Sequence, residues 1–168
     1  MRVALALAVP ITAALLQGSV VPFLVIAGAR PNLPLLVAAS WSVAAGSREG
    51  VWWAFVGGLM ADLLSGGPLG ALALAALGPV AAAGLGEQSV ARPRTVLIGA
   101  LLVGAATAVA NVLYLGLVAA VGQPLSDPAL RLGAALAGGA YTGVLAIATY
   151  PTLRVVRRAT EKQASFGW

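Results

Sequence analysis

The charged residues of this 168-residue chain are few and fall at a small number of places along it. They make up 9% of the sequence, whereas 60% is hydrophobic, and the stretches between them are long enough, or nearly so, to cross a bilayer. No soluble domain fits between these stretches. The spacing of the charges therefore predicts an integral membrane protein.

Cutting the chain at its charges and at its glycine and proline clusters leaves six apolar segments, each predicted to be a helix. The predicted bounds are 3–27, 33–46, 50–65, 69–86, 95–121 and 130–153. The predicted fold class is an all-α integral membrane protein, a compact six-transmembrane-helix bundle in a single domain over residues 1–168. Residues 154–168 are expected to follow the last helix as a basic cytoplasmic tail.

The first segment could also be a signal peptide, because Ala27-Gly28-Ala29 is similar to a small-residue cleavage site. Its apolar run from Val3 to Ile26 exceeds the roughly 7 to 15 residues of a typical signal, and Arg2 alone precedes it. We therefore expect the segment to be retained as a helix.

Basic residues are distributed unequally between the two predicted sides of the membrane. With the N-terminus in the cytoplasm, the outer side holds Arg30 and Arg131. The inner side holds the other eight: Arg2, Arg48, Arg92, Arg94, Arg154, Arg157, Arg158 and Lys162. This bias predicts a multi-pass membrane protein with both termini in the cytoplasm. The bias accounts for the net charge of +5 without a nucleic acid partner. The basic tail is interpreted as a topology anchor, and contact with anionic lipid is the alternative.

Asp62 is a carboxylate inside the third predicted helix. Residues spaced four apart place it on a stripe of small side chains formed by Gly50, Ala54, Gly58, Asp62 and Gly66. Small residues at this spacing allow another helix to approach closely, so Asp62 is predicted to face the bundle interior. The sequence Ser65-Gly66-Gly67-Pro68 is predicted to end the helix below the outer membrane surface.

Three expectations concern partners of polar residues near this turn. Asp62 is expected to accept N–H groups from the turn and from the start of the fourth helix. Arg30 lies on the same predicted side, and a contact between Arg30 and Asp62 is the second expectation. Asn32 is predicted to cap the second helix, with Pro34 in its first turn.

Small residues four apart also occur in the last two helices. They are Gly139 and Gly143 in the sixth helix, extended back to Ala135, and Ala100, Gly104 and Ala108 in the fifth. One interpretation is packing between helices of the bundle, and the other is docking of a single-span partner helix.

The composition excludes most enzyme classes. Histidine and cysteine are absent, and one intramembrane carboxylate cannot supply a paired-carboxylate or metal site. We therefore predict no enzymatic activity and no cofactor. A small-molecule binder is the rival class, since Asn111, Tyr114, Trp52 and Trp53 could line a pocket. The alternatives are an interhelical hydrogen bond for the first two and interfacial anchoring for the tryptophans.

The region from Arg30 to about residue 75 resembles the rod shape-determining MreD family. It carries Arg-Pro-Asn-Leu at 30–33, Gly57-Gly58-Leu59 three residues before Asp62, and then Pro-Leu-Gly at 68–70. The family more often has aspartate where this chain has Asn32, which keeps the cap and loses the charge. The positions that carry over are Pro31, Asn32, Gly58, Asp62, Pro68, Leu69 and Gly70, and with Arg30 they are expected to hold the fold or shape a partner groove.

The resemblance implies a non-enzymatic subunit of the bacterial cell-wall elongation complex, located in the bacterial plasma membrane. Its implied partner is an MreC-like single-span membrane protein, with RodA, its transpeptidase and, indirectly, the MreB filament as associates. The family also resembles the substrate-binding S subunits of energy-coupling-factor transporters in fold. An S-like subunit of a vitamin transporter is therefore the alternative function.

Overall fold

The computed structural model describes residues 2–26, 28–85, 95–124 and 126–164. Within these ranges the chain forms six α-helices and no strand, which confirms the all-α class. The helices are α1 (Arg2–Ser19), α2 (Leu33–Ala45), α3 (Ser47–Ser65), α4 (Ala71–Leu85), α5 (Val96–Ala120) and α6 (Pro128–Ala164). The predicted helix ends at 27 and 86, the inner charges Arg92 and Arg94 and the last four tail residues lie outside the described residues.

The first helix ends earlier than its apolar run predicts. α1 stops at Ser19, although the hydrophobic sequence continues to Ile26. Pro22 has no N–H to donate to the carbonyl of Gly18, so one hydrogen bond of the helical ladder is missing where the helix ends. A short 3-10 helix follows at 21–23, and the chain then reverses at Gly28, whose φ of +80° suits a residue without a Cβ.

The second helix lies at the centre of the bundle and packs against each of the other five. Asn32 caps it as predicted, its side-chain oxygen accepting the backbone N–H of Leu35 at 3.2 Å, and Pro34 occupies the first turn. Ten of its residues are buried, so this helix has no polar face. It spans 13 residues, or about 20 Å, which is less than a hydrocarbon core of about 30 Å.

The third helix contacts α1, α2 and α4 along its small-residue stripe. A Cβ built on Gly50 would overlap Ser42 of α2, and one on Gly58 would lie 2.7 Å from the Cα of Ala73 in α4. The predicted close approach of neighbouring helices is thus present on this stripe. The helix ends at Ser65, and Gly66 adopts the left-handed conformation (φ +68°) that commonly closes a helix.

The last two helices pack together through their small residues. A Cβ on Gly104 would lie 3.1 Å from the Cα of Gly143, and one on Gly139 would lie 2.7 Å from the Cα of Ala108. Of the two interpretations of this spacing, helix packing within the bundle is confirmed. The face is covered by the chain itself and is not open to a partner helix.

The sixth helix continues beyond its predicted end at 153 to Ala164. Its basic segment is therefore helical and belongs to the bundle. Arg157 donates to the carbonyl of Ala44 in the last turn of α2, and the guanidinium of Arg154 lies 5.6 Å from the ring centre of Tyr150. The Arg157 contact at the C-terminus of α2 is favourable because the last carbonyls of a helix lack helical partners.

Two of the helices are long and apolar enough to cross a membrane, namely 96–120 and 128–160. Three shorter apolar helices, Ala4–Ser19, Leu33–Ala45 and Ala71–Leu85, accompany them. Helix lengths in the bundle are therefore uneven.

Candidate polar site at the end of the bundle

Asp62 is buried, with 1% of its surface exposed, and its carboxylate lies at the N-terminus of α4. Its Oδ2 accepts the backbone N–H of Leu72 at 3.0 Å and that of Ala73 at 3.4 Å, and its Oδ1 lies 3.2 Å from the same Leu72 nitrogen. The first N–H groups of a helix have no partner within the helix. Asp62 thus caps α4 from α3, as the sequence predicts.

Gly70 explains why the cap comes from another helix. It immediately precedes Ala71, the first residue of α4, and a cap normally comes from the side chain at that position. Gly70 has no side chain, and its φ of +85° disfavours any other residue there. Gly58, one turn before Asp62, brings α3 against the backbone of Leu72 and Ala73, which puts the carboxylate within reach.

The expected contact between Arg30 and Asp62 is absent. Both residues line one cavity, yet among the described residues no hydrogen bond or ion pair joins them. The carboxylate is already occupied by the N–H groups of α4, and the side chain of Arg30 is exposed. The two residues are neighbours across a cavity and do not form a pair.

Asn32 joins three helices at the same end of the bundle. Its backbone N–H donates to the hydroxyl of Thr142 in α6 at 3.0 Å, and its Nδ2 donates to Oδ1 of Asn111 in α5 at 3.2 Å. Asn111 in turn donates its Nδ2 to the carbonyl of Ala135 at 3.2 Å. The predicted interhelical hydrogen bond of Asn111 is therefore present. Asn32 Oδ1 accepts the N–H of Leu35, so its Nδ2 is the atom that faces Asn111. This fixes the direction of the hydrogen bonds from Asn32 to Asn111 and from Asn111 to Ala135.

Gln17 is a further member of this polar group that the sequence analysis did not single out. Its Oε1 accepts the N–H of Leu33 at 2.7 Å, and its Nε2 donates to the carbonyl of Pro31 at 3.2 Å. One amide thus satisfies both backbone groups that flank Asn32. A polar residue in an otherwise apolar helix was the available signal, since such residues in membrane helices usually have partners.

Two adjacent cavities open among these side chains. The smaller, about 250 Å³, is lined by Gln17, Arg30, Pro31, Asn32, Ala61, Asp62, Ser65, Leu72, Asn111 and Tyr114. The larger, about 520 Å³, is lined by Gly28, Arg30, Asn111, Tyr114, Leu115, Arg131, Ala134 and Ala135. Asn111 and Tyr114 therefore line a pocket, as the binder interpretation requires.

The two tryptophans named as pocket candidates lie elsewhere. Trp53 is buried and stacks on Trp41, with ring centres 4.5 Å apart, and Trp41 donates its Nε1 to Glu49 at 2.9 Å. Trp52 is 50% exposed on the outside of α3. The stacked pair belongs to the opposite end of the bundle, where α2 ends and α3 begins. Trp53 is thus a core residue, which neither proposed role anticipated.

The remaining carried-over positions shape the polypeptide backbone around the site. Pro31 is fully buried, and Pro68 accepts the N–H of Ala71 at 3.1 Å through its carbonyl in the turn before α4. The side chain of Leu69 is 66% exposed. Among the described residues no group of three histidine, cysteine, aspartate or glutamate side chains could hold a metal ion.

Comparison with known protein families gives a match over most of the chain. Residues 1–145 match the family described as rod shape-determining protein MreD, which is most of the chain. The chain belongs to the MreD family. Neither the comparison with curated proteins nor that with solved structures gives a significant match. Membership assigns this MreD-family chain to rod shape determination and to a membrane, in keeping with its two span-length apolar helices.

Proposed function

We propose that this chain is a non-enzymatic, multi-pass subunit of the bacterial cell-wall elongation machinery that binds an MreC-like single-span protein. The match to the MreD family over residues 1–145 carries the proposal. Through that partner the chain supports rod shape and the regulation of peptidoglycan synthesis, alongside RodA, its transpeptidase and, indirectly, MreB.

The bonding pattern of the polar residues supports a non-enzymatic role. The side chains of Asp62 and Gln17 bond only to backbone groups near helix ends, and that of Asn32 bonds to the N–H of Leu35 and to Oδ1 of Asn111. A general acid, base or nucleophile needs an acceptor or donor that is free to meet a substrate. Holding the ends of α2 and α4 fixed gives a rigid surface on which a partner helix can dock.

The topology proposed with this function is six membrane spans with both termini in the cytoplasm. The short helices α2 and α4 would cross most of the membrane while their N-termini stay below the outer surface. Non-helical backbone at that depth must be buried in protein or line a cavity. The side-chain caps on α2 and α4 and the adjoining cavities meet that requirement.

Labelling of introduced cysteines tests the topology, because the natural chain has no cysteine. Gln123→Cys lies between α5 and α6, and Ala159→Cys lies on the exposed face of the basic end of α6. An impermeant maleimide applied to spheroplasts should label the first and should label the second only after lysis. Labelling of Ala159→Cys in sealed spheroplasts would rule the orientation out.

Recovery of a complex tests the function itself. The chain is co-expressed with the MreC-like protein of the same organism and purified in mild detergent, and the amount of partner recovered is measured. We expect a stable pair for the natural sequence and a reduced yield for Asp62→Ala, because that change frees the start of α4. The matched control is Leu63→Ala, which alters the neighbouring exposed side chain and should leave the pair intact.

The alternative function is an S-like substrate-binding subunit of a vitamin transporter, with the fold of such S subunits. The polar cavities around Asn111 and Tyr114 favour this alternative. Mass spectrometry of the purified protein separates the two functions. A copurifying vitamin together with no MreC-like partner would favour the transporter subunit. A stable pair without such a ligand would favour the elongation subunit.

A further inference from the structure

The larger cavity brings together two basic side chains and no acidic one. Arg30, from the loop before α2, and Arg131, from the first turn of α6, both line it, and its described lining includes neither aspartate nor glutamate. Like charges that face one cavity raise its electrostatic potential and attract an ion of the opposite sign. The two positive charges therefore face no carboxylate within the described lining of this cavity.

The Arg30 side chain is not used in a bond within the described part of the protein. Its side chain is exposed, and it makes no hydrogen bond or ion pair to any other described residue. Arg30 also lines the smaller cavity together with Asp62, whose carboxylate is bonded to Leu72 and Ala73. An exposed guanidinium that is not used within the protein has its donors available for an anion.

Arg131 is held in position by its own loop. Its Nε donates to the carbonyl of Ser126 at 3.0 Å, and its Nη2 donates to the hydroxyl of Ser126 at 3.1 Å. These bonds fix one edge of the guanidinium and leave Nη1 without a bond to any described residue. The position is also unfavourable for helix stability, because the N-terminus of a helix is itself positive. The helix start therefore adds to the positive potential of the two arginines.

The other polar groups of the cavity can complete an anion site. Tyr114 lines both cavities, and its hydroxyl makes no hydrogen bond to another described residue, so it can donate one. The cavity, at about 520 Å³, lies within the range of about 300 to 1,000 Å³ that is common for small-ligand sites. Guanidinium forks match the oxygen atoms of phosphate groups in a bidentate manner.

We infer that this cavity binds a phosphate-bearing anion between Arg30 and Arg131, with the hydroxyl of Tyr114 as a further donor. The site lies where α5 ends and α6 begins, so the anion is the headgroup of a phospholipid or a soluble phosphate. The inference does not depend on the MreC-like partner, since all three side chains belong to this chain.

Thermal unfolding with two probes tests the site and distinguishes the sources. The full chain is purified in a maltoside detergent, which carries no phosphate. It is then titrated with inorganic phosphate at constant ionic strength or with short-chain phosphatidylglycerol. At saturation we expect at least one probe to raise the midpoint of unfolding by about 3 °C or more, because a ligand that binds only the folded state stabilises it. A rise with phosphatidylglycerol alone identifies a lipid headgroup, and a rise with inorganic phosphate identifies a soluble anion.

Charge variants provide the controls. Replacing both residues, Arg30→Gln with Arg131→Gln, should abolish the rise, whereas Arg158→Gln, an exposed arginine at the other end of the bundle, should preserve it. Arg30→Lys with Arg131→Lys keeps the charge and loses the fork, so it should raise the half-saturating concentration several-fold. The inference is wrong if neither probe gives a saturable rise, or if the double glutamine or double lysine variant responds as the natural protein does.

Discussion

Asp62 and Leu72 are joined by both oxygens of the carboxylate, at 3.2 and 3.0 Å from the backbone nitrogen of Leu72. This contact crosses from α3 to α4 and replaces the cap that Gly70 cannot supply. A negative charge at this place is also favoured by the positive end of the helix. The Asp62 carboxylate therefore stabilises the turn at 66–70 from within the bundle.

Removing the carboxylate should destabilise the protein. Asp62→Ala leaves two backbone N–H groups of α4 without an acceptor, at a cost of about 1 to 3 kcal/mol. Asp62→Asn keeps one acceptor oxygen and should cost less. The measurement is the midpoint of thermal unfolding in mild detergent, with Leu63→Ala as the control. Equal stability of Asp62→Ala and Leu63→Ala would show that the cap contributes nothing.

Gly58 should not tolerate a larger side chain. In Gly58→Ala the new Cβ would lie 2.7 Å from the Cα of Ala73 and 2.8 Å from its nitrogen, so the two helices must separate. Overpacking of this kind typically costs about 1 to 3 kcal/mol. Gly78→Ala is the control, because Gly78 has open space around it within α4, and alanine there should be neutral or stabilising by up to about 1 kcal/mol. Unfolding curves of the two variants that coincide would contradict this packing.

The contact between α5 and α6 predicts a similar contrast. Gly139→Ala would bring its Cβ to 2.7 Å from the Cα of Ala108 in α5 and should lower stability. Gly133→Ala changes the same helix where nothing lies within 4 Å and should have little effect. Comparison of their unfolding midpoints checks the prediction. A greater loss in Gly133→Ala would mean that the two helices do not pack through these glycines.

Asn32→Asp, which introduces the residue more usual in the family, should be unfavourable in this chain. Aspartate would place an acceptor against Oδ1 of Asn111, and reversing the amide of Asn111 would sacrifice its bond to Ala135. The cost should be about 1 to 3 kcal/mol. It should fall in an Asn111→Ala background, which a double-mutant cycle measures. Additive effects would show that the two side chains are not coupled.

Local signals in the sequence predicted several of these elements correctly. Each of these elements depends on residues that are close in sequence or lie on one helix face. They are the Asn-Leu-Pro start of α2, the glycine turn that closes α3 and the small-residue spacing of α5 and α6 at Gly104, Gly139 and Gly143. Caps, turns and small-residue faces follow from backbone chemistry alone, which is why they can be read without a structure.

Other features depend on contacts that sequence spacing does not reveal. Gln17 bonds to Pro31 and Leu33 after the chain reverses at Gly28, and Trp53 is buried in the core, where it stacks on Trp41. The expected pairing of Arg30 with Asp62 was wrong for a related reason. Charge alone favoured it, whereas the backbone of α4 lies closer to the carboxylate.

The central proposal is that this chain supports rod shape through a fixed scaffold and without catalysis. Its most direct test is cell shape. The native gene is depleted, and the width of the cells is measured while plasmid-borne variants are expressed at matched levels. The natural sequence and Leu63→Ala should restore rods, and Asp62→Ala should restore them poorly in proportion to its lost stability. Cells that stay rounded with the natural sequence, or rods restored equally by a destabilised Asp62→Ala protein, would contradict the account.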